Sequence, residues 1–313
     1  MSEAELGDHA PIRSDRRARK SALFRPSLIN KYREEHGREA GKTKAATLTM
    51  LSRELGNVRL AGLNAVVLRD FIDRRVKAGA GGVTVAGDLS FLSAVLKWGR
   101  HARQLDINDK LALDARASLK VRGMNTRSKE RTREPSDDEL GRLFSYWESN
   151  SRRKIDMPLL CRFALATGMR QNEICSLQVD DVSRERRTVI IRNRKDPEKK
   201  AGNDQTVPLL PDAWEIVQAI LKDRTEGVLF QGVRAASVST AFTRACATLG
   251  IEDLHFHDLR HRATAQFFRM GLDIPRVALL TGHKTWAMLR RYTDIKPEDV
   301  HLAVERRLVM EKR

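Results

Sequence analysis

The chain of 313 residues carries 58 Lys and Arg against 41 Asp and Glu, a net charge of +17, and is 41% hydrophobic and 32% charged. That balance excludes a disordered polymer and allows a buried core in each of two domains. A positive surplus this large favours a polyanionic partner, nucleic acid above all. The longest apolar runs, FALATGM and RVALLTG, fall far short of the roughly 20 residues that span a bilayer, and the start of the chain lacks a signal-peptide core. A cytoplasmic, nucleoid-associated protein without membrane contact is expected. The three cysteines (Cys161, Cys175, Cys246) are widely spaced and form no C-x-x-C pair, so they read as buried free thiols in a reducing compartment.

In chain order, residues 1–20 read as a basic flexible tail, and 21–115 as a helical domain. LNAVVLRDFIDRRVKAG places Leu63, Val67, Leu68, Phe71 and Ile72 on one stripe, and the following segment repeats the device with Leu89, Leu92, Leu96 and Trp98. Residues 116–134 lose the apolar period and carry Lys120, Arg122, Arg127, Lys129, Arg131 and Arg133. They read as a cationic linker, either a solvated spacer or a strap along a phosphate backbone. A second domain, 135–313, opens on Ser136 and Glu139 at capping-box spacing. Helices follow to Gly168. RTVIIRN (187–193) and QTVPLL (205–210) read as two strands joined by the turn RKDPEKKAGND. The rest is helical, with Pro297 opening a last amphipathic helix suited equally to core packing or to docking on a neighbouring subunit. The fold class is mainly α with a small antiparallel β-sheet.

GKT at 41–43 resembles a phosphate loop, but His36 stands where its first glycine belongs and no strand precedes it. Carboxylate clusters at metal-ligand spacing are missing from the sequence, as are nucleotide-binding glycine motifs, so no metal and no cofactor is expected. Four separated stretches instead hold what a metal-free phosphodiester reaction needs: cations for the non-bridging oxygens, a nucleophile, and an acid for the leaving oxygen. ATGMRQNEICSL places Arg170 at the mouth of a helix with Glu173 one turn on. The turn RKDPEKKAGND offers Lys195, Lys199 and Lys200 as acids. LHFHDLRHRATAQFF puts His257 and Arg260 on one face at a helix start, where an anion would relieve the crowding of positive groups. LLTGHKTWAMLRRYTDI carries His283 at a glycine turn and Tyr292 nine residues later.

In this order, A-T-G-M-R, a lysine hairpin ending V-P-L, H-x-L-R-H, G-H and Y-T resemble the tyrosine recombinase family, the phage-integrase type of site-specific recombinases. The resemblance covers the second domain by motif and extends to the helical half as a core-site DNA-binding domain. It implies that Arg170 and Arg260 clamp a scissile phosphate, with Glu173 supporting the first. It implies that His257 serves proton transfer, that His283 donates to the phosphate, and that Tyr292 is the nucleophile. The hairpin lysine of the family stands eight residues before the V-P-L proline, so Pro208 points to Lys200, with Lys195 and Lys199 open. Arg262 and Val179 depart from the family pattern, where a hydroxyl residue and a tryptophan are frequent. The implied chemistry is strand exchange on paired double-stranded DNA sites through a 3′-phosphotyrosyl bond and a Holliday junction. A homotetramer would carry it out, with an accessory directionality factor as a further partner. The short segment before residue 21 points to simple core-site recognition. The rivals are a type IB topoisomerase and a catalytically idle DNA-binding regulator.

Overall fold

The computed structural model describes residues 26–36, 41–149, 154–196, 202–222 and 224–293, together with His301 and Val304. The basic tail, Lys199, Lys200 and most of the last helix expected from Pro297 lie outside the described residues. The chain divides into two compact units, Met1–Glu130 and Arg131–Arg313.

The regular elements of the first unit, among its described residues, are helices: α1 (Pro26–His36), α2 (Lys42–Leu55), a 3-10 turn (Leu60–Gly62), α3 (Ala65–Lys77), α4 (Gly82–His101) and α5 (Leu111–Val121). The stripe anticipated on α3 is the buried face, with Leu68, Phe71 and Ile72 inside, and α4 contributes Leu89, Leu92 and Leu96 to the same core. Asn64 starts α3 by accepting from the amides of Val66 and Val67. Asp88 is buried on α4 and paired to Arg75 at 2.9 Å. Burial pushes its carboxyl up against the opposing pull of that arginine. One expectation shifts: α5 runs six residues past 115, into the segment that reads as linker, because Leu119 is fully buried against the helical core. The basic composition of 116–121 masked that single apolar anchor.

The second unit builds on α6 (Asp137–Glu148), α7 (Met157–Thr167) and the short α8 (Gln171–Ser176). A sheet of β1 (Val182–Ser183), β2 (Thr188–Ile191) and β3 (Gln205–Pro208) follows, and then α9 (Pro211–Lys222), α10 (Ala235–Thr248), α11 (Phe256–Arg269) and α12 (Ile274–Thr281). Two turns of 3-10 helix follow at Trp286–Met288 and Arg290–Tyr292. The sheet is antiparallel in the order β1-β2-β3, with Val189 opposite Val207 and Ile191 opposite Gln205. Its third strand, β1, is not visible in the sequence, since two residues are too few to show alternation. The capping box on α6 forms as expected: the Ser136 hydroxyl accepts from the Glu139 amide and the Glu139 carboxylate accepts from the Ser136 amide.

α7 and α12 are built alike. Each starts on an aspartate cap (Asp156, Asp273) with proline in its first turn, and each ends on a glycine in the left-handed region, Gly168 at φ 61° and Gly282 at φ 71°. Neither carries a basic residue in its own last turn. The carbonyls left unpaired at both C-termini are therefore free for cations from elsewhere. The thiols also differ from expectation in one respect: Cys161 and Cys246 are buried, but Cys175 is only half-buried.

Candidate functional site

Three arginines from three different elements fill the carbonyl-rich ends of α7 and α12. Arg260, buried on α11, donates to the Gly168 carbonyl at 2.8 Å and to the Thr281 carbonyl. Arg170, the residue that caps α8, donates to Glu173 at 2.7 Å and to the Gly282 carbonyl at 3.2 Å. Arg194, at the base of the hairpin, donates to the carbonyls of Leu279 and Leu280 at 3.1 and 2.9 Å and to Gln205 at 2.9 Å. The negative ends of two helix dipoles thus hold all three guanidiniums.

Glu173 is the anionic hub. It is 7% exposed, and it accepts from Arg170 and, at 3.3–3.4 Å, from Arg194. Burial raises its carboxyl pKa, but the charges of Arg194 and Arg170 and the hydrogen bonds from Arg170 outweigh this and hold it below the usual value. Arg260 is pushed down to about 9, by burial first and by the like charge of Arg170 second, and still stays protonated at neutral pH. Three guanidiniums therefore face one carboxylate in a largely buried cluster. An excess of buried positive charge attracts an anion.

His283 follows Gly282. Its Nε2 lies 3.1 Å from Arg260 Nη2 and its Nδ1 lies 2.7 Å from the Thr281 hydroxyl, which itself lies 2.6 Å from the Val277 carbonyl. A guanidinium can only donate and the Thr281 proton goes to Val277, so His283 carries its proton on Nδ1 and accepts on Nε2. Burial, then the charges of Arg260 and Arg170, lowers its pKa to about 3. His257 keeps an exposed edge at the start of α11, and the protein behind it together with Arg260 lowers its pKa.

Tyr292 reads from the sequence as the exposed end of a short helix. It is instead half-buried in a 3-10 turn, because Leu289 just before it is fully buried in the core and draws the turn inward. Its hydroxyl is hydrogen-bonded to Nδ1 of His261, and its ring stacks on His261 at 5.9 Å and lies 6.3 Å from the ring of His283. Burial raises the phenol pKa, against the opposing charges of Arg291 and Arg260. Arg291 lies over the Tyr292 ring and donates to the Arg131 carbonyl at 3.2 Å.

Of the sequence-expected set, Arg170, Glu173, Arg260 and His283 form one hydrogen-bonded cluster with Tyr292 beside it, and His257 lies one helical turn from His261. Lys195 is exposed at the start of the hairpin loop, whereas Lys199 and Lys200 lie outside the described residues. Two further residues join the site without having stood out in the sequence. Arg194, 1% exposed, has the composition of the charged turn, although it sits next to the strand rather than at the tip. His261 was visible only as the second histidine of H-x-L-R-H, four residues after His257 and so on the same helix face.

Two arginines of the supposed linker also resolve. Arg131 grips buried Asp258 with both arms of its guanidinium at 2.7 Å and adds Asp253, and Arg133 pairs with Glu139. At these two positions the charges are matched by carboxylates of the second unit. Arg262 ties α11 to the Pro135 carbonyl and Asp137, and Val179 is a buried residue of a 3-10 turn. Among the described residues no group of three or more His, Cys, Asp or Glu side chains is placed to hold a metal ion, and no helix is long and apolar enough to cross a membrane.

Comparison with known proteins gives this geometry a family. The model of the phage integrase family matches residues 136–299, just over half of the chain. The shufflon-specific DNA recombinase of Escherichia coli is 32% identical over 167 residues, which cover 53% of this chain and 41% of that protein. The chain thus spans about two fifths of that curated relative's length. Tyrosine recombinase XerC of Mycobacterium leprae is 26% identical over 289 residues, 88% of this chain and 91% of the relative. In fold, the chain resembles a lambda integrase solved as a tetramer bound to a Holliday junction, with a TM-score of 0.66 at 17% identity over 92% of this chain and 84% of that one. The chain belongs to the phage integrase family, the tyrosine-type site-specific DNA recombinases.

Proposed function

We propose that this protein is a site-specific DNA recombinase that cuts and rejoins DNA through a covalent 3′-phosphotyrosyl intermediate. The single observation that carries the reading is the excess of guanidinium charge beside a tyrosine hydroxyl: Arg170, Arg194 and Arg260 around Glu173, with Tyr292 alongside. Arg170 and Arg260 each keep donor capacity for the non-bridging oxygens of one phosphate, and their planar forks match it. Glu173 holds Arg170 in place, and Arg194 holds Glu173. His283 accepts from Arg260, so it donates to a phosphate only after taking up a proton, which the phosphate's own charge favours. His257 assists from the start of α11. A hairpin lysine, Lys200 by its spacing to Pro208, protonates the departing 5′ oxygen.

Tyr292 attacks phosphorus, its Oη–P bond forms as the P–O5′ bond breaks, and the 5′ hydroxyl of a partner strand later reverses the step. The energy of the broken bond is kept in the phosphotyrosyl link, so no nucleotide is consumed. Paired double-stranded sites, a homotetramer and a Holliday junction are the setting; the lambda integrase neighbour was solved as such a tetramer on a Holliday junction. The division of the chain expected from its sequence fits this: a helical core-site-binding part before the linker and the catalytic part after it. An accessory directionality factor and a cytoplasmic, nucleoid-associated location belong to the same reading.

The test is a suicide duplex carrying a site that the protein binds, in which cleavage releases a short downstream fragment ending in a 5′ hydroxyl and traps the enzyme. The wild type gives a denaturation-resistant protein–DNA adduct, and Tyr292→Phe gives none. Absence of an adduct from wild type bound to such a duplex sinks the proposal. Relaxation of supercoiled DNA without exchange between paired sites would replace it by topoisomerase activity.

A further inference from the structure

We infer that His261, rather than His257, is the group that takes the proton from Tyr292 as its oxygen attacks the phosphate. The inference deepens the recombinase reading and rests on it. His261 Nδ1 is hydrogen-bonded to the Tyr292 hydroxyl, and the two rings stack with an interplanar angle of 30°. His257 meets His261 edge-on at a ring separation of 5.2 Å and so stands one ring further from the phenol. A general base has to lie within hydrogen-bond reach of the proton it removes, and His261 meets that condition.

The surroundings keep His261 usable as a base. It is 6% exposed, so bulk water does not compete for its lone pair. The groups bearing on it are His257, Asp258 and Arg260 on its own helix and Arg291 and Tyr292 from the turn packed against it. The helices α7, α10 and α12 present Gly168, Phe242 and Thr281 to α11, none of them charged. Burial first, then the charges of His257 and Arg291, lowers the pKa of His261 to about 4, so the imidazole is neutral at pH 7. A bound DNA phosphate adds a negative charge beside it and raises its affinity for the arriving proton. The step balances without a redox partner: the Oη–P bond forms, the P–O5′ bond breaks, the phenol proton moves to His261 Nδ1, and the 5′ oxygen takes a proton from the hairpin lysine.

The test uses the full chain and the same suicide duplex. His261→Asn keeps an acceptor oxygen close to the Nδ1 position but cannot take a proton. We expect it to bind the duplex as wild type does and to form adduct about 10²–10⁴-fold more slowly at pH 7. Its rate should climb with pH as hydroxide replaces the missing base, whereas the wild-type rate stays flat through neutrality. A 5′-bridging phosphorothiolate duplex, whose sulfur leaves without an acid, should leave the ratio of the two rates unchanged. A His261→Asn rate within about threefold of wild type, or recovery on the phosphorothiolate, overturns the inference, the second outcome placing His261 on the leaving group. ¹⁵N NMR of the wild type decides independently of how the variant folds: an unprotonated Nδ1 whose shift moves in Tyr292→Phe supports the inference, and a protonated Nδ1 overturns it. Wild type that binds but forms no adduct takes down the recombinase reading together with it. Adduct from wild type with an unaffected His261→Asn removes only this inference.

Discussion

Arg194→Met is the most demanding test of how the guanidinium cluster is held. Arg194 is among the largest fully buried side chains of the protein, and it supplies four kinds of contact: Glu173, Gln205, and the carbonyls of Leu279 and Leu280. Methionine fills a similar volume without the charge, so the loss is mainly electrostatic. Removing one partner of a buried ion pair costs about 3–5 kcal/mol because the other charge is left uncompensated. Here Glu173 keeps Arg170 at 2.7 Å, and the repulsion between Arg194 and Arg170 is relieved. The lower end, about 3 kcal/mol, is therefore expected. In a unit the size of Arg131–Arg313, each kcal/mol moves Tm by about 2–4 °C, so the transition should fall by roughly 6–12 °C. Scanning calorimetry of the full chain reads this, with the second unit's transition identified as the one that an added oxyanion such as vanadate raises. Arg194→Lys should not restore it, since an ammonium lacks the planar fork that reaches the carboxylate and two carbonyls together. A fall of less than about 2 °C for Arg194→Met would show that Glu173 does not depend on this pairing and refute the reasoning.

Gly282→Ala should destabilise the same unit, since its φ of 71° strains any L-residue by about 1–2 kcal/mol and the new methyl would collide with the pinned Arg194 guanidinium. Gly271→Ala, at φ 84° but with nothing within 4 Å, should show the backbone cost alone, so equal Tm losses in the two variants would refute the steric part. Lowering the pH should also destabilise this unit. His261 and His283 have folded pKa values of about 4 and about 3 against 6.5 unfolded. Their contribution is thus complete above pH 6.5 and is lost as pH falls toward those folded values, by up to about 2.7 kcal/mol per pH unit for the two together. Thermal melts between pH 7 and pH 4 check the slope, and an oxyanion should reduce it by easing protonation of His283.

The local features of this protein were legible because they act over one helical turn. Ser136 and Glu139 cap a helix whatever surrounds them, Arg170 and Glu173 meet because three residues separate them, and Gly168 and Gly282 mark helix ends by backbone freedom alone. The order of Arg170, His257, Arg260, His283 and Tyr292 along the chain likewise sufficed to point to a family. The burial of Arg194 did not show, because its acceptors lie 21 residues back in Glu173 and 85 and 86 residues ahead in Leu279 and Leu280. In composition it was one more cation in a charged turn. The partner of Tyr292 was hidden for the same reason: His261 stands 31 residues earlier and on another element. The residue types and spacings of the sequence by themselves determined the helical class, the caps and the set of cations. Which cation fills which helix end, and which histidine touches the phenol, was decided only in the tertiary structure, where two glycine-ended helices bring unpaired carbonyls and distant side chains to one point.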